Sequence, residues 1–168
     1  MITSNISLGK NIRIDKESRI NNISIGNGTK IARGVKIFGS ERNILEVGIG
    51  CYIGPNCFIE GFNGKIKIGN YVSFAQNINI ISGSGPNASL KMQKVFPIVK
   101  GEIFIDDHCW IGSNVIIMPN VRIGKFCVVA VNSFVRKSFP DYSIIGGTPA
   151  KLIRTLTPEE IEKLHSDD

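Results

Sequence analysis

Histidine and tryptophan are scarce in this chain, which has His108, His165 and the single Trp110 among its 168 residues. A zinc centre built from imidazoles needs three of them, so a zinc-dependent hydratase is excluded and no metal site is expected. None of the four cysteines forms a CxxC pair, which argues against zinc motifs of that spacing. The segment MITSNISLGKNIRIDKES contains no long apolar run. We therefore expect no signal peptide, no integral membrane segment and a cytoplasmic protein.

Charged residues are also limited, and slightly more of them are basic than acidic. Twenty Lys and Arg against fourteen Asp and Glu give a net charge of +6. This excess suits a phosphorylated ligand, an anionic surface or simple solubility. The chain has no Lys/Arg-rich cluster with interleaved aromatic residues, so nucleic acid is not an expected partner. The 42% of hydrophobic residues and the eighteen glycines indicate one globular domain with many strands and tight turns.

An apolar residue returns every six positions, and this period runs through most of the chain. It is clearest in IDDHCWIGSNVIIMPNVRIGKFCV, residues 105–128. The full series falls into groups of three: Leu8, Ile14, Ile20; Ile25, Ile31, Ile37; Val47, Ile53, Ile59; Ile68, Phe74, Ile80; Ile105, Ile111, Ile117; Ile123, Val129, Val135. We predict that each six-residue unit is a short strand plus a turn and that three units form one triangular coil. Stacked coils would then align these side chains in ladders inside a solenoid.

Other positions of the repeat agree with this model. Asparagine, which tolerates the positive φ of a tight corner, stands three residues after the apolar position at Asn56, Asn77, Asn114, Asn120 and Asn132. The cysteines stand four residues after it, at Cys51, Cys57, Cys109 and Cys127. A free thiol packs as a small hydrophobe, and disulfides are unexpected in a cytoplasmic chain. The sequence therefore predicts four reduced, buried cysteines.

The repeat resembles the hexapeptide acyltransferases, whose fold is a left-handed parallel β-helix. WIGSNVIIMPNVRIG at 110–124 and IIGGTPAKLIR at 144–154 look like the O-acetyltransferase branch that modifies sugars and antibiotics. The resemblance implies an all-β, three-sided solenoid, which would cover residues 1–138. Residues 82–102 break the six-residue period and are predicted to form a protruding loop without an element of its own. A closing segment and a short helix would follow over 139–168. It also implies a homotrimer with active sites between subunits.

The activity implied by the resemblance is transfer of an acetyl group from acetyl-CoA, as co-substrate, to a hydroxyl of a sugar or polysaccharide precursor. Enzymes of this branch carry a general-base histidine in the protruding loop, but SGSGPNASLKMQKVFPIVKGE has none. Two alternatives therefore stay open. One is an N-acetyltransferase acting on a nucleotide-linked amino sugar, whose deprotonated amine needs no side-chain base. The other is a non-catalytic hexapeptide-repeat protein.

His108 is the candidate base, because a neutral imidazole suits proton abstraction near neutral pH. It stands in the corner slot of the repeat, where the alternative interpretation is a surface corner residue. Asp106 and Asp107 beside it either orient the ring or are solvated. Trp110 points outward in this model and needs cover from a subunit, a ligand or the loop. The predicted substrate-binding residues are Ser82, Ser84, Asn87 and Trp110.

Acetyl-CoA contacts are taken from the resemblance. It places the pantetheine arm along Ser113, Ala130 and Val131, and the adenosine phosphates near four cations, Arg136, Lys137, Lys151 and Arg154. Arginine and lysine suit phosphate as forked donors and as point charges. In the tail, TPEEIEKLHSDD predicts a helix with Thr157 as N-cap and Glu160 closing a capping box. His165 near its carboxyl end is expected to be solvated.

Overall fold

The structure, a computed structural model, describes residues 4–166. Strands are numbered in chain order and form three flat faces. The first face contains β1 (Ile6–Leu8), β4 (Ile23–Ile25), β7 (Leu45–Val47), β10 (Ile66–Ile68), β15 (Ile103–Ile105) and β18 (Val121–Ile123). The second contains β2 (Arg13–Ile14), β5 (Lys30–Ile31), β8 (Tyr52–Ile53), β11 (Ser73–Phe74), β16 (Trp110–Ile111), β19 (Val128–Val129), β21 (Ser143–Gly147) and β22 (Ala150–Thr155). The third contains β3 (Arg19–Asn21), β6 (Lys36–Phe38), β9 (Phe58–Glu60), β12 (Asn79–Ile81), β17 (Ile116–Ile117) and β20 (Phe134–Val135).

The predicted left-handed parallel β-helix is confirmed, because each strand pairs with the strand one coil away and the coils stack into a three-sided solenoid. Every member of the six-residue series faces its counterpart: Ile53 pairs with Phe74, which pairs with Ile111 on the next coil. From the second coil onward these side chains are buried. Burying one such side chain contributes roughly 1.5–3 kcal/mol, so the ladders are the main source of stability. Leu8, on the first coil, remains 49% exposed.

Corner residues and cysteines also agree with the sequence. The five predicted asparagines have φ between 58° and 64°, and His108 occupies the same kind of corner with φ 59°. Short polar side chains are well suited to this left-handed region. All four cysteines are free and buried. Burial raises the pKa of the Cys57 thiol to about 11, which keeps it protonated and inert at neutral pH.

The protruding loop differs from its prediction, because it contains elements of its own. Strands β13 (Gly83–Ser84) and β14 (Val99–Lys100) pair in antiparallel fashion, and a single-turn helix, α1 (Leu90–Gln93), lies between them. The Ser89 hydroxyl accepts a hydrogen bond from the Met92 amide and caps that turn. The loop leaves the third face and returns to the first. It therefore protrudes at the corner opposite the second face.

The carboxyl-terminal part extends the stack before closing it. Phe139 bridges to Ile123, and β21 pairs in parallel with β19, so coil structure continues past the predicted boundary at residue 138. Strand β22 then folds back antiparallel to β21. Helix α2 (Pro158–His165) follows with the predicted capping box between Thr157 and Glu160. Neither helix in the described part of the chain is long and apolar enough to cross a membrane.

Candidate functional site

An outward row of side chains along the second face leads to the tryptophan. Tyr52, Ser73, Trp110 and Val128 occupy register positions on successive coils. Trp110 is 59% exposed. It lines a pocket of about 490 Å³ together with Ser73, the aromatic rings of the adjacent corner and Leu164 from α2. The structure thus brings Trp110 and His108 into one open pocket.

The His108 ring lies in a column of stacked rings, here called the corner stack: Tyr71, His108, Phe126 and Tyr142. The His108 centroid is 5.1 Å from that of Tyr71 and 4.7 Å from that of Phe126, with interplanar angles of 18° and 1°. Phe126 stacks in turn on Tyr142 at 5.6 Å. Both faces of the imidazole are therefore covered and only its edge is open to the pocket.

The two aspartates beside His108 have other partners. Asp107 Oδ1 accepts a hydrogen bond of 2.7 Å from the Asn70 amide on the preceding coil. Asp106 Oδ2 accepts from Arg122, whose Nη2 lies 2.9 Å away. In residues 4–166 no side chain forms a hydrogen bond with the His108 ring. Neither carboxylate therefore orients the imidazole in this structure.

The predicted pantetheine residues lie at the corner between the second and third faces. The Ser113 carbonyl accepts from the Asn132 amide at 2.9 Å, and the Ala130 amide donates to the Ile145 carbonyl at 2.8 Å. Within the described residues, the amide N–H groups of Ser113 and Val131 have no acceptor. These two amides occupy equivalent places on neighbouring coils, about 4.8 Å apart. The corner therefore offers two unpaired donors beside the exposed Val131 side chain.

Three of the four predicted phosphate-binding cations come together. Arg136, Lys137 and Lys151 line a pocket of about 170 Å³ at the carboxyl-terminal end of the solenoid. Arg154 does not join them, because its Nη1 and Nη2 atoms donate to the two carboxylate oxygens of Glu160 at 2.7 and 2.9 Å. This pairing lowers the pKa of Glu160 to about 2. In this structure Arg154 anchors α2, and its contact with phosphate stays a prediction.

The loop residues occupy mixed positions. Ser82 is fully buried, and its hydroxyl accepts a hydrogen bond of 2.9 Å from the Asn63 amide. It secures the base of the loop, and its contact with substrate stays a prediction. Ser84 is half-buried in β13, and Asn87 is exposed. In a single chain neither approaches Trp110, because the loop protrudes at the corner opposite the face that carries the tryptophan.

Sequence reasoning missed several residues of this region. The rings of Tyr71, Phe126 and Tyr142 each stand three residues after an apolar position of the first face, as His108 does, so the repeat itself contained the signal. Leu164 was missed because a helix packing against the corner cannot be located from a repeat. His165, expected to be solvated, is exposed, but its Nε2 lies 3.1 Å from the Tyr142 hydroxyl.

Comparison with known proteins identifies related sequences. The family model "Bacterial transferase hexapeptide (six repeats)" matches residues 102–137. Galactoside O-acetyltransferase of Lactococcus lactis is 29% identical over 138 residues, covering 70% of this chain and 66% of the relative. A probable macrolide acetyltransferase of Lysinibacillus sphaericus is 35% identical over 124 residues, covering 62% and 68%. The chain thus spans about two thirds of the length of these relatives.

Solved structures share the fold over most of the chain. AntD, an N-acyltransferase from Bacillus cereus crystallised with dTDP and 3-hydroxybutyryl-CoA, superposes with a TM-score of 0.77. It is 24% identical, and the match covers 94% of this chain and 87% of that one. A maltose O-acetyltransferase from Clostridium difficile gives a TM-score of 0.60 at 24% identity, covering 90% and 70%.

Proposed function

The chain belongs to the bacterial hexapeptide-repeat transferases, and from this premise we propose that it transfers an acetyl group from acetyl-CoA to a hydroxyl of a sugar or polysaccharide precursor. The observation that carries the proposal is the arrangement along one flank of the solenoid. Trp110, the unpaired amides of Ser113 and Val131, and the pocket of three cations follow one another toward the carboxyl-terminal end. The relatives named for galactoside and macrolide acetylation support the same reaction class.

Acetyl-CoA would lie along this flank with its phosphates at the carboxyl-terminal end. Arg136, Lys137 and Lys151 would bind the phosphates, since hydrogen bonds between charged partners are roughly twice as strong as neutral ones. The Ser113 and Val131 amides would donate to carbonyl oxygens of the pantetheine arm, next to Ala130. The thioester would then lie near Trp110, at the mouth of the larger pocket.

Acyl transfer requires an acceptor oxygen to attack the thioester carbonyl. A C–O bond forms, the C–S bond breaks, and coenzyme A leaves as its thiol. We propose that the exposed edge of His108 accepts the hydroxyl proton and then donates it to the leaving sulfur, a role typically worth 10²–10⁴-fold in rate. A preorganised backbone amide can stabilise the oxyanion.

Transfer to an amine remains the second candidate, and a specific observation favours it. No carboxylate orients the His108 ring, because Asp106 and Asp107 bind Arg122 and Asn70. A free amine attacks a thioester without a strong base, and close positioning of the two reactants supplies much of the rate.

We further propose that the active molecule is a homotrimer. The loop presents large apolar side chains to solvent, with Leu90 77%, Val95 70% and Phe96 58% exposed. Such a surface indicates a protein interface, and three-fold closure satisfies the symmetry usual for oligomers. In this assembly Ser84 and Asn87 of one subunit would approach Trp110 of the next. A cytoplasmic location, where acetyl-CoA is available, completes the proposal.

The proposal is tested by thiol release from acetyl-CoA with a panel of hydroxyl sugars, amino sugars and an acceptor-free blank. We expect release above the blank with at least one sugar, and a KM for acetyl-CoA raised several-fold in Lys151→Gln. Lys36→Gln, at an exposed lysine on the third face and away from this flank, is the matched control, in which that KM stays unchanged. If coenzyme A binds but no acceptor stimulates release, the non-catalytic alternative holds.

A further inference from the structure

Four cations of the first two coils face one another in like-charged pairs. On the second face Arg13 is the register partner of Lys30, and on the third face Arg19 is the partner of Lys36. All four side chains are exposed. Like charges directly opposite on neighbouring strands destabilise a sheet. In residues 4–166 none of the four has an ion-pair partner, whereas Arg33 beside them binds Glu17 at 2.7 Å.

The two pairs differ in the residues that continue their rows on the later coils. Lys30 pairs with Tyr52, which leads through Ser73 to Trp110 in one outward row. Tyr52 is 45% exposed and Trp110 59%. Strands lie about 4.8 Å apart, so Lys30 is roughly 14 Å from Trp110 at the backbone, a span that its long side chain shortens. The pair on the third face leads through Phe58 and Asn79 to Ile116, a row that contains no tryptophan.

The two ends of this flank carry separate groups of cations. Arg136, Lys137 and Lys151 lie at the carboxyl-terminal end and are assigned to the phosphates of the acyl donor. Arg13 and Lys30 lie at the opposite end of the same flank, beyond the point where the thioester is placed. An anion bound there would belong to the second substrate, because the donor approaches Trp110 from the other side.

We propose that Arg13 and Lys30 form an anion subsite for the acceptor, with the Tyr52 ring beside it, and that the acceptor is a sugar linked to a diphosphate. This inference rests on the proposed function. Arginine presents a planar fork of donors and lysine a point charge, and two adjacent phosphates match that combination. The sugar would extend from the diphosphate along the row, and its reacting group would reach Trp110.

The test uses two double variants with identical charge changes on the same coils. Arg13→Gln/Lys30→Gln removes the proposed subsite, and Arg19→Gln/Lys36→Gln is the matched control on the third face. Binding of uridine diphosphate and of inorganic pyrophosphate is measured by calorimetry in saturating coenzyme A, so that the donor pocket is already filled. We expect affinity to fall at least tenfold in the first variant and less than twofold in the control. Neither variant should lower Tm, because each removes a repulsive pair.

Kinetics separate this inference from the proposed function. With a sugar nucleotide as acceptor, the first variant should raise the acceptor KM at least tenfold and leave the KM for acetyl-CoA unchanged. A lack of thiol release with every acceptor would refute the proposed function, while the calorimetry would still test whether the subsite binds a diphosphate. Equal loss of binding in both variants would show a general charge effect and overturn the inference. If the first variant lost binding to vesicles of anionic phospholipid but kept its binding to uridine diphosphate and pyrophosphate, the inference would be overturned in favour of a membrane surface.

Discussion

Substitutions at His108 can separate its proposed chemistry from its place in the corner stack. His108→Phe keeps a flat ring between Tyr71 and Phe126, and aromatic residues already adopt positive φ at this corner, including Phe126 at 54°. His108→Asn removes the ring but keeps a residue type that favours positive φ. Both variants lack the imidazole, so they share the loss of a base and differ only in stacking.

The size of the two effects follows from the geometry. A stacked aromatic pair contributes about 0.5–1.5 kcal/mol, and His108 forms two such pairs, at 5.1 and 4.7 Å. Partial solvent exposure favours the lower part of that range, so His108→Asn should cost about 1–2 kcal/mol. For a chain of this length that corresponds to a fall in Tm of roughly 2–8 °C. His108→Phe should leave Tm nearly unchanged. Loss of a general base would lower kcat by about 10²–10⁴-fold in both.

The assay combines thermal unfolding with thiol release. If His108 is the base, both variants lose kcat to a similar extent, although only His108→Asn loses the stacked ring. Full activity in His108→Phe, together with a lowered Tm in His108→Asn, would refute the catalytic role and leave only the structural one. Transfer to an amine would then become the preferred reaction.

Three further outcomes test the fold and its closing segment. Phe74→Ala, at a ring that is 1% exposed, should lower the free energy of unfolding by about 3–5 kcal/mol in denaturant titrations. Phe62→Ala, at a half-exposed ring, should lower that free energy by no more than about 1.5 kcal/mol. The pKa of Glu160 is lowered to about 2 from its ordinary 4.5. The ion pair that anchors α2 therefore contributes fully above pH 4.5 and is lost as pH falls toward 2. The fluorescence of Trp110, which lies near α2, should change over that pH window, and in Glu160→Gln it should already be changed at pH 7. Iodoacetamide at pH 7.5 should label fewer than one thiol in the native protein and four after denaturation, because all four cysteines are buried away from the reagent. Burial also raises the pKa of the Cys57 thiol to about 11. Rapid labelling of the native chain would contradict the buried assignment.

The fold could be predicted because the repeat encodes it locally. Each apolar position fixes one inward side chain, and the asparagines three residues later mark where the backbone turns with positive φ. The loop was harder to describe, because its one-turn helix depends on a single cap at Ser89 and its strand pair is only two residues long. Elements this short have little periodicity to detect. The same limit explains why the continuation of coil structure through Phe139 was not predicted, since an aromatic residue stands there in place of the usual aliphatic.

The site was predicted less completely, for a physical reason. A repeat indicates which residues point inward or outward, so the outward position of Trp110 was predicted. It does not show which charged groups neutralise each other. Arg154 matches a phosphate-binding pattern, yet its partner Glu160 lies in the following helix. Ser82 has a polar side chain suited to substrate, yet it is buried by the base of its own loop.

The position of the loop makes assembly a testable condition for activity. A loop at the corner opposite the second face cannot cover Trp110 of its own chain, so the two meet only if another subunit supplies one of them. Phe96→Asp places a charge in the exposed apolar surface of the loop, where Phe96 is 58% exposed. We expect light scattering to report three chains for the wild type and one for this variant, with thiol release lost in parallel. Ile49→Asp, at a comparably exposed residue outside the loop, should remain a trimer with full activity. An active monomer of Phe96→Asp would show that each chain completes its own site, and Ser84 and Asn87 would then have no role at the acceptor.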